Sequence, residues 1–155
     1  MNLLNVLDTW NILLIVIIFY WGGVKRIYFM KKLSRLRAIT GIELNPNCAD
    51  SGLHIVHGKI VVHLNAKIGK DCKILSDVTI GWQGRYDKPG APQIGDRVFI
   101  GSGAKIIGNI TIASDVVIGA NAVVVHSINE PGVTVAGNPA KKVSDTDSYY
   151  YLNKE

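Results

Sequence analysis

Aliphatic residues recur at every sixth position of this chain: Val56, Val62, Ile68, Ile74 and Ile80, then Ile94, Ile100, Ile106, Ile112, Ile118 and Val124. A small or aliphatic residue stands two positions before each next lead residue, at Ile60, Ala66, Cys72, Val78, Val98, Ala104, Ile110, Val116 and Ala122. An amphipathic helix needs a period of 3.6 and a half-buried strand needs strict alternation, so a period of six excludes both. Each hexad reads as one short strand plus one corner. Both apolar positions face inward, and the glycine or Asn/Asp region takes up the corner's unusual backbone angles. Three hexads make a triangular coil of 18 residues, and coils stack at about 4.8 Å. Residues 56–124 are therefore expected to form a parallel β-helix whose Ile/Val stack no single coil could bury alone. The period leaves the hand of the coil open.

The series breaks once. Ile80 and Ile94 are separated by an expanded hexad, so residues 82–93 (WQGRYDKPGAPQ) must leave the coil as a loop. A loop breaking a solenoid usually lies on its binding face. Near the amino terminus, residues 12–21 (ILLIVIIFYW) are uncharged and apolar. Ten residues are too few to span a bilayer unaided, and residues 1–11 lack the cationic start of a signal peptide. Three placements stay open: a helix packed on the solenoid or on a sister subunit, a peripheral membrane anchor, or a spanning helix. Residues 24–37 read as a second, basic helix, and residues 144–155 as a mobile polar tail. The expected organisation is an appendage over 1–40, the β-helix over 41–143 and that tail.

The net charge of +5 sharpens this division. Residues 25–37 carry six cations and no acid (Lys25, Arg26, Lys31, Lys32, Arg35, Arg37). With Asp8 they account for the whole net charge, so everything from residue 38 onward sums to zero. A nucleic-acid footprint would need basic residues across the folded face, and none is present. The basic stretch suits contact with anionic lipid at an inner membrane face, by an otherwise cytoplasmic protein. Cys48 and Cys72 offer neither a disulfide framework nor a metal-ligand spacing.

Four histidines are candidates for a general base, which must exchange a proton near neutrality. His57 stands apart because it follows Val56 and should face outward at a corner, with the 82–93 loop leaving one coil and one face later, close enough to cover it. His54, His63 and His126 could lie anywhere on the outside. A zinc site built from His54, His57 and His63 lacks a completing cysteine or acid, so no metal is expected.

Five blocks carry a more specific signal: GIELNP (41–46), GLHIVHGKIVV (52–62), DVTIGW (77–82), IGDRVFIGSGAKIIGNITIASDVVIGANAVVV (94–125) and VAGNPAKKV (135–143). In order and spacing they resemble the serine acetyltransferase branch of the hexapeptide-repeat acyltransferases. The resemblance implies a left-handed coil, a homotrimer with sites between neighbouring solenoids, and acetyl-CoA as co-substrate. It implies that His57 is the general base for attack on the thioester and that Glu43 orients it, as the third member of a triad does. It places Ser102 and Ala120, one coil apart, along the pantetheine arm, and Lys141 near the coenzyme's phosphates. Transfer in the family is direct, so neither cysteine need be a nucleophile.

The departures matter equally. Serine acetyltransferases proper carry an acid before the catalytic histidine, where this chain has Val56, and an Arg-His pair before the loop proline, where it has Gly90-Ala91. Those groups grip the amino acid's charges; each lost partner costs roughly 1–3 kcal/mol. The large amino-terminal helical domain of those enzymes is also replaced by about forty apolar and basic residues. The sequence thus leads to an acetyl-CoA-dependent O-acetyltransferase acting on a sugar hydroxyl of a surface polysaccharide or its precursor. Its rivals are serine O-acetyl transfer and a non-catalytic hexapeptide scaffold.

Overall fold

A computed structural model describes residues 34–35, 38–84 and 89–152. The chain divides into two compact units, Met1–Ile42 and Glu43–Glu155. In the first unit, residues 34–35 and 38–40 are helical. The apolar run at 12–21 and most of the basic stretch lie outside the described residues. Among the described residues no helix is long and apolar enough to cross a membrane.

The second unit is a left-handed parallel β-helix with three faces. Face A carries β1 (Ile42–Glu43), β3 (Ile60–Val62), β6 (Val78–Gly81), β9 (Lys105–Ile107) and β12 (Val123–Val124). Face B carries β4 (Lys67–Ile68), β7 (Gln93–Ile94) and β10 (Thr111–Ile112). Face C carries β2 (His54–Ile55), β5 (Lys73–Ile74), β8 (Phe99–Ile100), β11 (Val117–Ile118) and β13 (Thr134–Ala136), with β14 (Lys141–Ser144) antiparallel at its edge. Strands this short cannot persist alone; each is held by the strand one coil before and one coil after it.

Every expected inward residue from Ile60 to Val124 is buried, including the small members Ala66, Ala104 and Ala122 at 0% exposure. The isoleucines form continuous inward ladders, as in Ile74–Ile100–Ile118 on face C. The exception lies at the start. Val56 is only half-buried, and Ile55 is the residue that packs on the core and pairs with Ile74. The first coil therefore holds one residue more than the regular coils.

Two different residue types solve the corner problem. Asp71, Asp77, Arg97, Asp115 and Asn121 adopt left-handed φ of 52–64° directly before an inward small or aliphatic residue; short polar side chains tolerate that region best. The glycines that follow the lead isoleucines have another purpose. A Cβ on Gly101 would stand 2.7 Å from the Ala120 nitrogen of the next coil. Gly101 is required by how closely coils stack, not by its own angles, which corrects the expectation that these glycines absorb the corner conformation.

The carboxy-terminal segment also differs from the expected free tail. Ser148 is fully buried; its hydroxyl donates to the Arg97 carbonyl and its N–H to the Asp115 carbonyl, at 3.0 Å for the latter. Thr134 Oγ1 donates to the Thr146 carbonyl at 2.6 Å. The helical turn Tyr149–Leu152 then stacks Tyr151 on Phe99, ring centroids 4.8 Å apart. Residues 144–152 are thus a strap running back along face C. Its polar composition hid this, because the anchors are backbone groups and one serine.

Candidate active site

The edge where face C turns into face A collects most of the residues singled out by the sequence. Its corners are residues 56–59 in the first coil, 75–77 in the second, 101–103 in the third and 119–121 in the fourth. His57 lies in the first, Ser102 in the third and Ala120 in the fourth. The regular corners have three residues between inward positions, as between Ile74 and Val78. The first has four, between Ile55 and Ile60, because Ile55 pairs with Ile74 whereas Ile60 pairs with Val78. The surplus residue is inserted at the histidine's own corner.

His57 is exposed. Gly58 beside it has φ of +86°, and a Cβ there would lie 2.5 Å from the Ser76 Cβ of the coil beneath. Only glycine fits, on both counts. Ser76 in turn donates from its hydroxyl to the Ser102 hydroxyl at 3.3 Å. Sequence reading did not single out Ser76, because the loop insertion displaces it from the 18-residue spacing. With the eight extra loop residues removed, it falls one coil before Ser102, and that arithmetic would have found it.

The third and fourth corners of this edge, 101–103 and 119–121, are built mostly from small residues, which leaves their backbone accessible. Asn121 N–H donates to the Ser102 carbonyl at 2.8 Å and Gly103 N–H to the Ser76 carbonyl at 2.8 Å. Among the described residues, the N–H groups of Ser102 and Ala120 have no partner within the chain. Two unused donors one coil apart suit a linear, amide-containing ligand lying along the edge.

Glu43 ends β1, whose neighbour in face A is β3, the strand that His57's corner feeds. Both side chains are exposed, and no hydrogen bond joins Glu43 to His57 among the described residues. Lys141 is exposed on β14, its backbone paired with Ala136 beyond the fourth coil. The other histidines are dispersed. His54 lies on β2 of face C, His63 accepts the Asn65 N–H on Nδ1 at 3.2 Å between faces A and B, and His126 is exposed beyond β12. They do not gather with His57.

The loop springs from another edge. It leaves β6 and returns through β7 at the turn from face A to face B, and Gln93 already belongs to β7. Asn109 donates to the Pro89 carbonyl at 3.0 Å, the Pro92 carbonyl accepts the Lys67 N–H at 3.0 Å, and Ala91 is buried. The loop thus leaves one coil and one face after His57, with the width of face A between its base and that corner. Residues 85–88 lie outside the described residues. Burial pushes the Cys72 thiol up to about 11 and raises that of Cys48 too. Both are free thiols packed in the core.

Comparison with known proteins agrees with this edge-and-corner architecture. Residues 91–126 match the bacterial transferase hexapeptide (six repeats) family model. A serine acetyltransferase of Helicobacter pylori is 41% identical over 124 residues, covering 77% of this chain and 72% of that protein. Serine acetyltransferase of Brucella abortus, solved in complex with coenzyme A, superposes with a TM-score of 0.69 at 36% identity, over 79% of this chain and 50% of that one. The Neisseria gonorrhoeae enzyme in complex with serine gives 0.63 at 36% identity, over 77% and 52%. The chain thus spans about half the length of these solved structures. The chain belongs to the serine acetyltransferase family of hexapeptide-repeat acyltransferases.

Proposed function

We propose that this protein is an acetyl-CoA-dependent O-acetyltransferase with L-serine as the first candidate acceptor. The observation that carries the reading is the alignment of His57, Ser102 and Ala120 on one edge of the β-helix, in a chain whose relatives are named serine acetyltransferases. Coenzyme A is bound by the Brucella abortus relative. In this chain its pantetheine arm would lie along the edge against Ala120 and Ser102, with Lys141 meeting phosphate beyond them. His57 would take the acceptor's hydroxyl proton as the oxygen attacks the thioester carbon. The carbon–sulfur bond then breaks, and the protonated imidazole returns the proton to the departing thiolate. Glu43 would orient the imidazole.

Within one chain, the base of the loop and the His57 corner lie at opposite sides of face A. That separation favours a site completed by a neighbouring copy, and a homotrimer is the assembly proposed. Anchoring of residues 1–37 at a membrane surface is a further proposal that their charge alone supports.

A sugar hydroxyl is the second reading. The reported relatives give it no support. One observation keeps it: a Cβ at Gly90 would lie 2.5 Å from Asn109 Cγ. A side chain before the loop proline, where serine enzymes carry their Arg-His pair, would have to displace Asn109. Steady-state assays with acetyl-CoA and L-serine, beside nucleotide sugars and free hexoses, separate the two. Efficient serine turnover supports the first reading; turnover confined to sugars overturns it.

A further inference from the structure

Among the described residues, five that are not glycine adopt left-handed φ, and four of them donate their N–H to a corner carbonyl of the preceding coil. Asp71 donates to Ser51 at 3.0 Å, Arg97 to Lys70 at 2.7 Å, Asp115 to Asp96 at 3.0 Å and Asn121 to Ser102 at 2.8 Å. Asp77, at φ 60°, is the fifth, and its N–H has no partner among the described residues. The cause is the surplus residue of the first corner. Counted from the Ile60–Val78 pair, the Asp77 N–H should meet the Gly58 carbonyl; counted from the Ile55–Ile74 pair, it should meet that of His57. The two registers disagree, and neither hydrogen bond is made. A Cβ on Gly58 would lie 3.8 Å from the Asp77 nitrogen, so this donor stands at the histidine's own corner. The Asp77 carbonyl accepts the Lys105 ammonium at 2.6 Å, which holds the residue in place and sets a cation beside it.

We infer that the backbone N–H of Asp77 is the oxyanion donor of the acyl transfer. The inference rests on the proposed reaction and names a further catalytic group of that same site. As the acceptor oxygen bonds to the thioester carbon, the π pair of the carbonyl moves onto its oxygen. When the pair returns to re-form the C=O bond, the carbon–sulfur bond breaks and the sulfur leaves with that bond's electrons, taking the proton held by His57. A donor lowers this barrier only if it faces the oxygen where the charge develops. An arm that comes from Ala120 and Ser102 and reacts beside His57 brings its thioester between the second corner and the first, an interval of about 4.8 Å. In the four other corners the corresponding N–H holds a carbonyl oxygen in the same interval. At Asp77 the chain supplies no such oxygen, and a buried or half-buried donor of this kind is satisfied by a ligand.

The test replaces the amide between Ser76 and Asp77 by an ester in the full-length protein, with the α-hydroxy analogue of aspartate incorporated at position 77, so that only the N–H is lost. One oxyanion donor is worth about 10²–10³ in kcat, and the ester protein should lose that factor. Its KM for acetyl-CoA and its affinity for coenzyme A, which carries no acyl group, should stay near wild type. The same replacement at Asp115, whose N–H is paired within the chain on another edge, should lower Tm and leave kcat alone. A folded position-77 ester with wild-type kcat, or an equal loss of kcat at position 115, overturns the inference while leaving acyl transfer intact. Should the position-77 ester fail to fold, the wild type is read by infrared difference spectroscopy with bound acetonyl-CoA, the unreactive ketone in which a methylene separates sulfur from the carbonyl. A carbonyl band at lower frequency than in water supports the inference, and an unshifted band overturns it. A wild type that turns over acetyl-CoA with no acceptor tried overturns the acyl-transfer reading and the inference with it.

Discussion

Ile55 pairs with Ile74 nineteen residues on, whereas Ile60 pairs with Val78 after eighteen. The extra residue falls in the corner that holds His57. Gly58 sits inside this corner at φ +86° with the Ser76 Cβ where its own would be. Gly58→Ala is therefore expected to cost about 1–3 kcal/mol. For a chain of this length that lowers Tm by roughly 2–4 °C per kcal/mol. Thermal unfolding of the variant checks it, and an unchanged Tm would mean the corner is slack.

The ladder of isoleucines is the core itself. Ile106 is fully buried between Ile80 and Val124. Ile106→Ala should cost about 2–5 kcal/mol, since stacked coils cannot collapse into the space without breaking register. Denaturant titration gives the value directly.

The strap makes a separate prediction. Ser148 is buried against the Arg97 and Asp115 carbonyls. Ser148→Ala removes one part-buried hydrogen bond, for about 0.5–1.5 kcal/mol. Limited proteolysis should then cut residues 144–152 faster than in the wild type, with the coils still resistant. Equal protection in both proteins would show that the hydroxyl does not hold the strap.

The buried thiols set a pH dependence. Burial raises both, Cys72 from 9.0 to about 11. The unfolded chain therefore loses these protons at lower pH than the folded one. Their contribution to stability is complete below pH 9 and is lost as pH rises from about 9 toward 11. Chemical denaturation across that window should show falling stability, more so in the wild type than in Cys72→Ala. Native-state alkylation at neutral pH should be slow at both cysteines.

Much of this was legible in the pattern of hydrophobic residues. Every inward position from Ile60 to Val124 follows from the period of six, because a solenoid repeats its environment with its sequence. The slip at Ile55 was not legible. Ile55 and Val56 are adjacent aliphatics, either could continue the series, and only the pairing with Ile74 decides between them. The strap was hidden for a related reason: Ser148 and Thr146 dock through hydrogen bonds, which leave no hydrophobic period. The edge shared by His57, Ser102 and Ala120 could be counted in hexads, but Ser76 was masked by the loop. On the acceptor, sequence and comparison pull apart: Val56 and Gly90-Ala91 stand where serine enzymes carry charged groups, while the relatives' names point to serine.

The most direct measurement is steady-state acetyl transfer from acetyl-CoA to L-serine by the full-length wild type and by His57→Ala, with coenzyme A affinity measured alongside by calorimetry. The wild type should turn over serine. The variant should lose about 10²–10⁴-fold in kcat, the usual worth of a positioned general base, while coenzyme A binding stays near wild type because Ser102, Ala120 and Lys141 are untouched. A His57→Ala variant that transfers acetyl at the wild-type rate would contradict the account.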